Sequence, residues 1–163
     1  MTRRMLALLL TFMAGAIVGN VAIPSIGARF AAHGVVHAQT HKPVFMTRLY
    51  TGPDKQTHAE EIEVKFGDGN PGQVFKMMPV TGAELRRGAA GTVSDWHVGP
   101  RRQYVITLSG RGEVEVAGGK KISLEPGHID LVEDTTGKGH ITRSLGSEDR
   151  VTLTLPLVDQ SGR

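Results

Sequence analysis

An all-β domain, closed as a sandwich or barrel, is what this sequence predicts, and three observations predict it. From about Pro43 onward the apolar residues come in short runs rich in β-branched side chains. Turn-forming clusters separate those runs at the spacing of sandwiches and barrels: GDGNPG at 67–72, SGRG at 109–112, Gly118-Gly119, Pro126-Gly127 and Gly137-Lys138-Gly139. Beyond the N-terminal segment, no stretch carries a helical apolar period over the length of a helix.

Taken in order, the first strand is expected over residues 44–50, where Val44, Phe45, Met46, Leu49 and Tyr50 supply the apolar content. THAEEIE at 57–63 could form a helical turn, but its position favours a loop running into a strand at 62–66. A further strand is expected over the apolar residues 74–79. Strands then follow at 103–108, 113–116, 121–124, 129–132, 140–144 and 151–157. In Glu113-Val114-Glu115-Val116 strict alternation puts both valines on one face. There is no internal repeat, so one domain over about residues 43–158 is expected, with loose ends at 39–42 and 159–163.

The 163 residues suit one domain with one proper core. The net charge of +3 does not point to nucleic acid. Arg3, Arg4 and Arg29 lie in residues 1–38, which hold no acid; setting them aside from the 19 Lys and Arg leaves 16 against 16 Asp and Glu. The bases are scattered rather than striped, so no nucleic-acid partner is expected. Cysteine is absent, which removes disulfides, thiolate nucleophiles and thiolate metal ligands together.

Residues 1–38 read as an export signal. Met1-Thr2-Arg3-Arg4 is a positive start, MLALLLTFMAGAIV at 5–18 is apolar, and Val36-His37-Ala38 offers a cleavage site before Gln39. The expected setting is periplasmic or secreted. An uncleaved anchor is the alternative, since apolar character continues to Ile23, although Asn20 and Pro24 interrupt it. Only through such an anchor would a membrane be a partner. Arg3-Arg4 also suits the twin-arginine route, which exports folded proteins, and a general secretory signal is the other option.

The chemistry concentrates around Trp96-His97-Val98-Gly99-Pro100-Arg101-Arg102-Gln103-Tyr104. Gly91 precedes His97 by a five-residue gap, Gln103 follows Gly99 after three, and Gly110 follows Gln103 after six. Downstream, Glu125-Pro126-Gly127 opens a second group and Gly137-Lys138-Gly139-His140 closes it. This frame resembles the two motifs of the cupin superfamily over roughly residues 88–157. The resemblance implies a jelly-roll barrel, the cupin double-stranded β-helix, with a small-molecule site inside it. It also departs from the family: Gly99 stands for the second histidine of motif 1 and Gln103 for its glutamate. In motif 2, Thr135 and Ser144 stand where a proline and an asparagine are expected.

What the resemblance implies for a metal is a ligand set of His97, Gln103 and His140. Two imidazoles and a neutral amide would hold Fe, Mn, Ni or Zn more weakly than a set with a carboxylate, and an empty site is equally open. The plainer alternatives are a packed barrel histidine at 97 and a Gln103 that merely satisfies it. Arg101 or Arg102 could hold a substrate carboxylate through paired hydrogen bonds, or form a surface pair answered by Asp95 or Glu133. Trp96 is either a core or rim aromatic or a pocket wall, and Tyr104 should face away from Gln103. His128 is expected in a surface turn, and His41 and His58 exposed. Two functions stay open: a metal-dependent oxygenase, isomerase or lyase acting on a small, acidic organic substrate, and a non-catalytic ligand-binding or sensing barrel. Pairing as a homodimer is a further expectation from the resemblance, with 44–50 a candidate for an exchanged strand.

Overall fold

Short apolar runs punctuated by glycine can bury themselves only by pairing edge to edge and stacking face to face. A computed structural model describes residues 41–161. The export signal expected over residues 1–38 lies outside the described residues. The strands are β1 (Val44–Thr51), β2 (Thr57–Val64), β3 (Gly67–Asp68), β4 (Gln73–Val74), β5 (Glu84–Gly88) and β6 (Val93–His97), followed by β7 (Gln103–Ser109), β8 (Arg111–Glu115), β9 (Lys121–Leu124), β10 (Ile129–Glu133), β11 (His140–Leu145) and β12 (Arg150–Pro156). One short 3₁₀ turn, Ala117–Gly119, joins β8 to β9.

Two sheets carry the architecture. The six-stranded sheet runs β2-β1-β10-β7-β12-β5 and the four-stranded sheet β6-β11-β8-β9, with β3-β4 a separate hairpin. All pairings are antiparallel except β1 with β10. The fold is all-β, a jelly-roll barrel of two packed sheets. β1 is paired along both edges within its own chain, between β2 and β10.

Both faces of the six-stranded sheet are covered. Between the sheets, Leu49 and Val132 meet Val114, Val116 and Leu124. On the opposite face Met46, Tyr104 and Leu131 pack with Val64 and Leu157, joined by Met77 and Met78. Leu49 is almost fully buried, so truncating it to alanine would cost about 2–5 kcal/mol.

Several expectations change here. Residues 57–64 form a full strand, β2, rather than a loop, because β1 supplies a pairing edge along its whole length. Residues 75–79 are not a strand; they cross the outer face, where Met78 N–H donates to Tyr104 Oη at 3.3 Å. β5 and β6 form where no strand was expected. The tail is also less loose than expected. Arg102 Nη1 donates to the carbonyl oxygens of Asp159 and Ser161 at 2.8 and 2.7 Å.

Candidate functional site

In a strand, side chains at i and i+2 share a face, so the inward sets can be read along each element. On β11, His140, Thr142 and Ser144 face a cavity of about 550 Å³ inside the barrel. On β12 it is Arg150, Thr152 and Thr154, and on β10 Asp130 and Val132. β6 contributes Ser94 and His97, and β7 begins with Gln103 and Val105.

His97 and His140 meet on the cavity wall. The two residues are register partners across β6 and β11, and their ring centroids lie 4.4 Å apart. Gly139 makes this approach possible. Its φ is +78°, and a Cβ there would stand 1.9 Å from the His97 carbonyl oxygen.

Each ring is held through Nδ1. His97 Nδ1 is 2.7 Å from the Asp95 carbonyl oxygen, and His140 Nδ1 is 2.5 Å from Asp134 Oδ2. A backbone carbonyl only accepts, so His97 Nδ1 donates; in the neutral tautomer that donates from Nδ1, the lone pair of the ring lies on Nε2. Asp134 is completely buried and is itself fixed, for Thr57 Oγ1 donates to the same Oδ2 at 2.9 Å. Its other oxygen, Oδ1, has no hydrogen-bond partner among the described residues. The carboxylate was not foreseen from sequence; Asp134 sits six residues before His140, beyond the end of β10.

The other expected ligand position is only half available. Gln103 is buried on the cavity wall, but its Oε1 accepts from Arg101 Nε at 3.2 Å. Gly99, at the position where the motif resemblance would put a second histidine, also lines the cavity. A Cβ there would meet Val132 Cγ1 at 2.6 Å, so the wall has closed over the missing side chain. Among the described residues no three His, Cys, Asp or Glu converge into a metal-holding group.

The remaining expected residues divide. Arg101 reaches Gln103 but is otherwise paired with Glu84, whose carboxyl lies below its ordinary range because Arg86 and Arg101 both donate to it. Arg102 points to the opposite face of the sheet, lining a recess with Arg48, Met78, Leu131 and Glu133. It is 1 % exposed and ion-paired with Glu133, so it does not reach the histidine cavity. Glu133 is the partner expected for it, in a buried rather than a surface pair. Trp96 is half-exposed outside the cavity, with Lys138 Nζ 3.7 Å from its ring centroid. Tyr104 faces away from Gln103, as expected, into the outer core. His128 is bound to Asp130 Oδ1 at 3.0 Å.

Arg150 is the second group, after Asp134, that the sequence did not mark. It is 8 % exposed, lines the cavity, and donates from Nε and Nη2 to Thr107 Oγ1 at 3.3 and 2.8 Å. Burial lowers its pKa, and the charge of Asp130 only partly offsets that.

No protein-family model matches the sequence, and no curated protein does. Among solved structures the chain is similar to the cupin domain of Schizosaccharomyces pombe Cnp3, with 17% identity over 72% of this chain and 88% of that one, at a TM-score of 0.39. That likeness brings no ligand, partner or activity to the present chain.

Proposed function

We propose that the domain is an exported small-molecule barrel that holds one divalent transition metal between His97 and His140 and acts on an organic ligand in the cavity. The observation that supports this reading is the imidazole pair, each ring tied at Nδ1, which leaves Nε2 as the nitrogen that would ligate. Metal-ligating histidines are oriented in this way, by a carbonyl or carboxylate on the second nitrogen. The residues present therefore fit a two-imidazole site for Fe, Mn, Ni or Zn, without the carboxylate that would tighten it. A bound ion of this kind would supply Lewis acidity to a ligand oxygen.

The chain's own groups do the rest. Asp134 and Thr57 hold the His140 ring in one orientation. Leu49, Val105, Val114, Leu124 and Val132 give the cavity an apolar lining against which a ligand can displace water. Gln103, its oxygen taken by Arg101, keeps its amide N–H groups to donate to that ligand. Residues 1–38 support the exported setting.

A second reading, a non-catalytic ligand-binding barrel, is favoured by Gly99 and by the engaged oxygen of Gln103. Metal content after tag-free purification separates the two. Under the first reading, near-stoichiometric metal is expected in the wild type, falling at least about tenfold in His97→Ala and His140→Ala. If wild-type protein incubated with Fe(II), Mn(II), Ni(II) or Zn(II) stays metal-free while folded, the metal reading fails and the binding module stands.

A further inference from the structure

A buried guanidinium normally comes with a carboxylate, because an uncompensated charge inside a protein is costly. The fold has such a pair on its outer face, where Arg102 meets Glu133. The cavity face does not. Among the described residues the side-chain bonds of Arg150 go to Thr107 Oγ1 alone, a neutral acceptor. Asp130, buried on the wall of the same cavity, is the anion whose field it feels, but the two form no ion pair, and Asp130 Oδ1 is hydrogen-bonded to His128 Nε2.

The position of Arg150 is built rather than incidental. A Cβ on Gly112 would stand 3.0 Å from Arg150 Cδ and 3.1 Å from Nε, so the side chain runs along space that only glycine leaves open. The guanidinium has five N–H donors, and two point at Thr107. Three remain, on Nη1 and Nη2, which together form the end-on edge that matches the two oxygens of a carboxylate. Thr152 and Thr154 carry hydroxyls along the same face of β12. Arg86 and Arg87 also line the cavity, but each has a carboxylate beside it, Glu84 at 2.7 Å and Asp149 at 4.0 Å, so Arg150 is the cavity arginine without an ion pair among the described residues.

We propose that Arg150 is the anchor for the carboxylate of a small organic acid bound inside the barrel. The anchor presupposes the small-molecule role of the cavity and adds to it the charge class of the ligand. It does not depend on a metal at His97 and His140.

Benzoate and its uncharged amide, benzamide, are suitable probes, titrated into ¹⁵N-labelled protein with EDTA present so that no metal can bind the acid. Benzoate is expected to shift the amides of Thr107, Gly112, Arg150 and Thr152, and to bind at least roughly tenfold more tightly than benzamide. Arg150→Gln should remove that preference. Arg150→Met, which replaces a buried charge by an apolar side chain of similar length, gives the same reading if the glutamine variant does not fold. Equal binding of acid and amide in the wild type overturns the anchor but leaves the small-molecule cavity intact. Failure of both probes to perturb cavity residues overturns the cavity reading and the anchor with it. A folded Arg150 variant that keeps the wild-type preference for benzoate overturns the anchor alone.

Discussion

Asp134 shows how much one side chain decides in this barrel. It has no exposed surface, it receives Thr57 Oγ1 and His140 Nδ1 on one oxygen, and it leaves the other oxygen without a partner. An orphaned buried oxygen is costly, by about 1–3 kcal/mol, and its retention beside His140 is consistent with a role in fixing that ring. Asp134→Asn keeps the size but replaces an acceptor-only group with one that can also donate, so the tautomer of His140 is no longer dictated. The expected outcome is a loss of about 10–100-fold in metal affinity, measured by competition with a chelator, with the circular dichroism spectrum unchanged. Unaltered affinity in the folded variant would mean that His140 is oriented by packing alone.

At the scale of elements, the link from β10 to β11 sets the geometry that the site needs. Gly137 and Gly139 both have positive φ, and Gly139 lies against the His97 carbonyl. Gly139→Ala should cost about 1–3 kcal/mol from backbone strain before the clash is added. Urea denaturation would show this as a lower midpoint, and the loss of metal uptake should accompany it because β6 and β11 are pushed apart. A variant as stable as wild type would show that the link can reroute. Elements with glycine-marked ends and apolar alternation, such as β8, β9 and β10, were legible in the sequence. β5 and β6 were not, because Glu84–Gly88 and Val93–His97 are edge strands with mostly exposed side chains and no alternation to read. Residues 75–79 misled for the opposite reason: Met77 and Met78 are apolar because they cover a sheet, not because they belong to one.

For the whole molecule, the central fact is a six-stranded sheet with an apolar cluster on each face, the polar cavity groups lying on one face only. That division explains what the sequence hid at the site. On β12 the apolar residues Val151, Leu153 and Leu155 look like the inward set, while Arg150, Thr152 and Thr154 look like the solvent set; the burial pattern is the reverse. His97, Gln103 and His140, which the motif resemblance singled out, all line the cavity, whereas Arg150 and Asp134 carried no motif. On the outer face, burial alone would raise the Glu133 carboxyl, but hydrogen bonds and charge from Arg102 and Arg48 outweigh it and hold the pKa below the ordinary range. A carboxyl depressed on folding contributes stability above its unfolded value of about 4.3 and loses it as pH falls through the lower folded value. Glu133→Gln should therefore be less stable than wild type at pH 7, by about 3 kcal/mol, with the gap narrowing on acidification below pH ~4. Denaturation curves collected from pH 7 to pH 3 would test this; parallel loss of stability in both proteins would contradict it.

The place of β12 has a consequence for timing. It lies between β7 and β5 in the six-stranded sheet, yet it follows both of them in the chain, and it carries the buried Arg150. Every nascent chain shorter than about Pro156 lacks both the strand that joins β7 to β5 and the charge that would meet an acid. A chain that stops short of β12 cannot complete the six-stranded sheet. Closure of that sheet waits on residues 150–156.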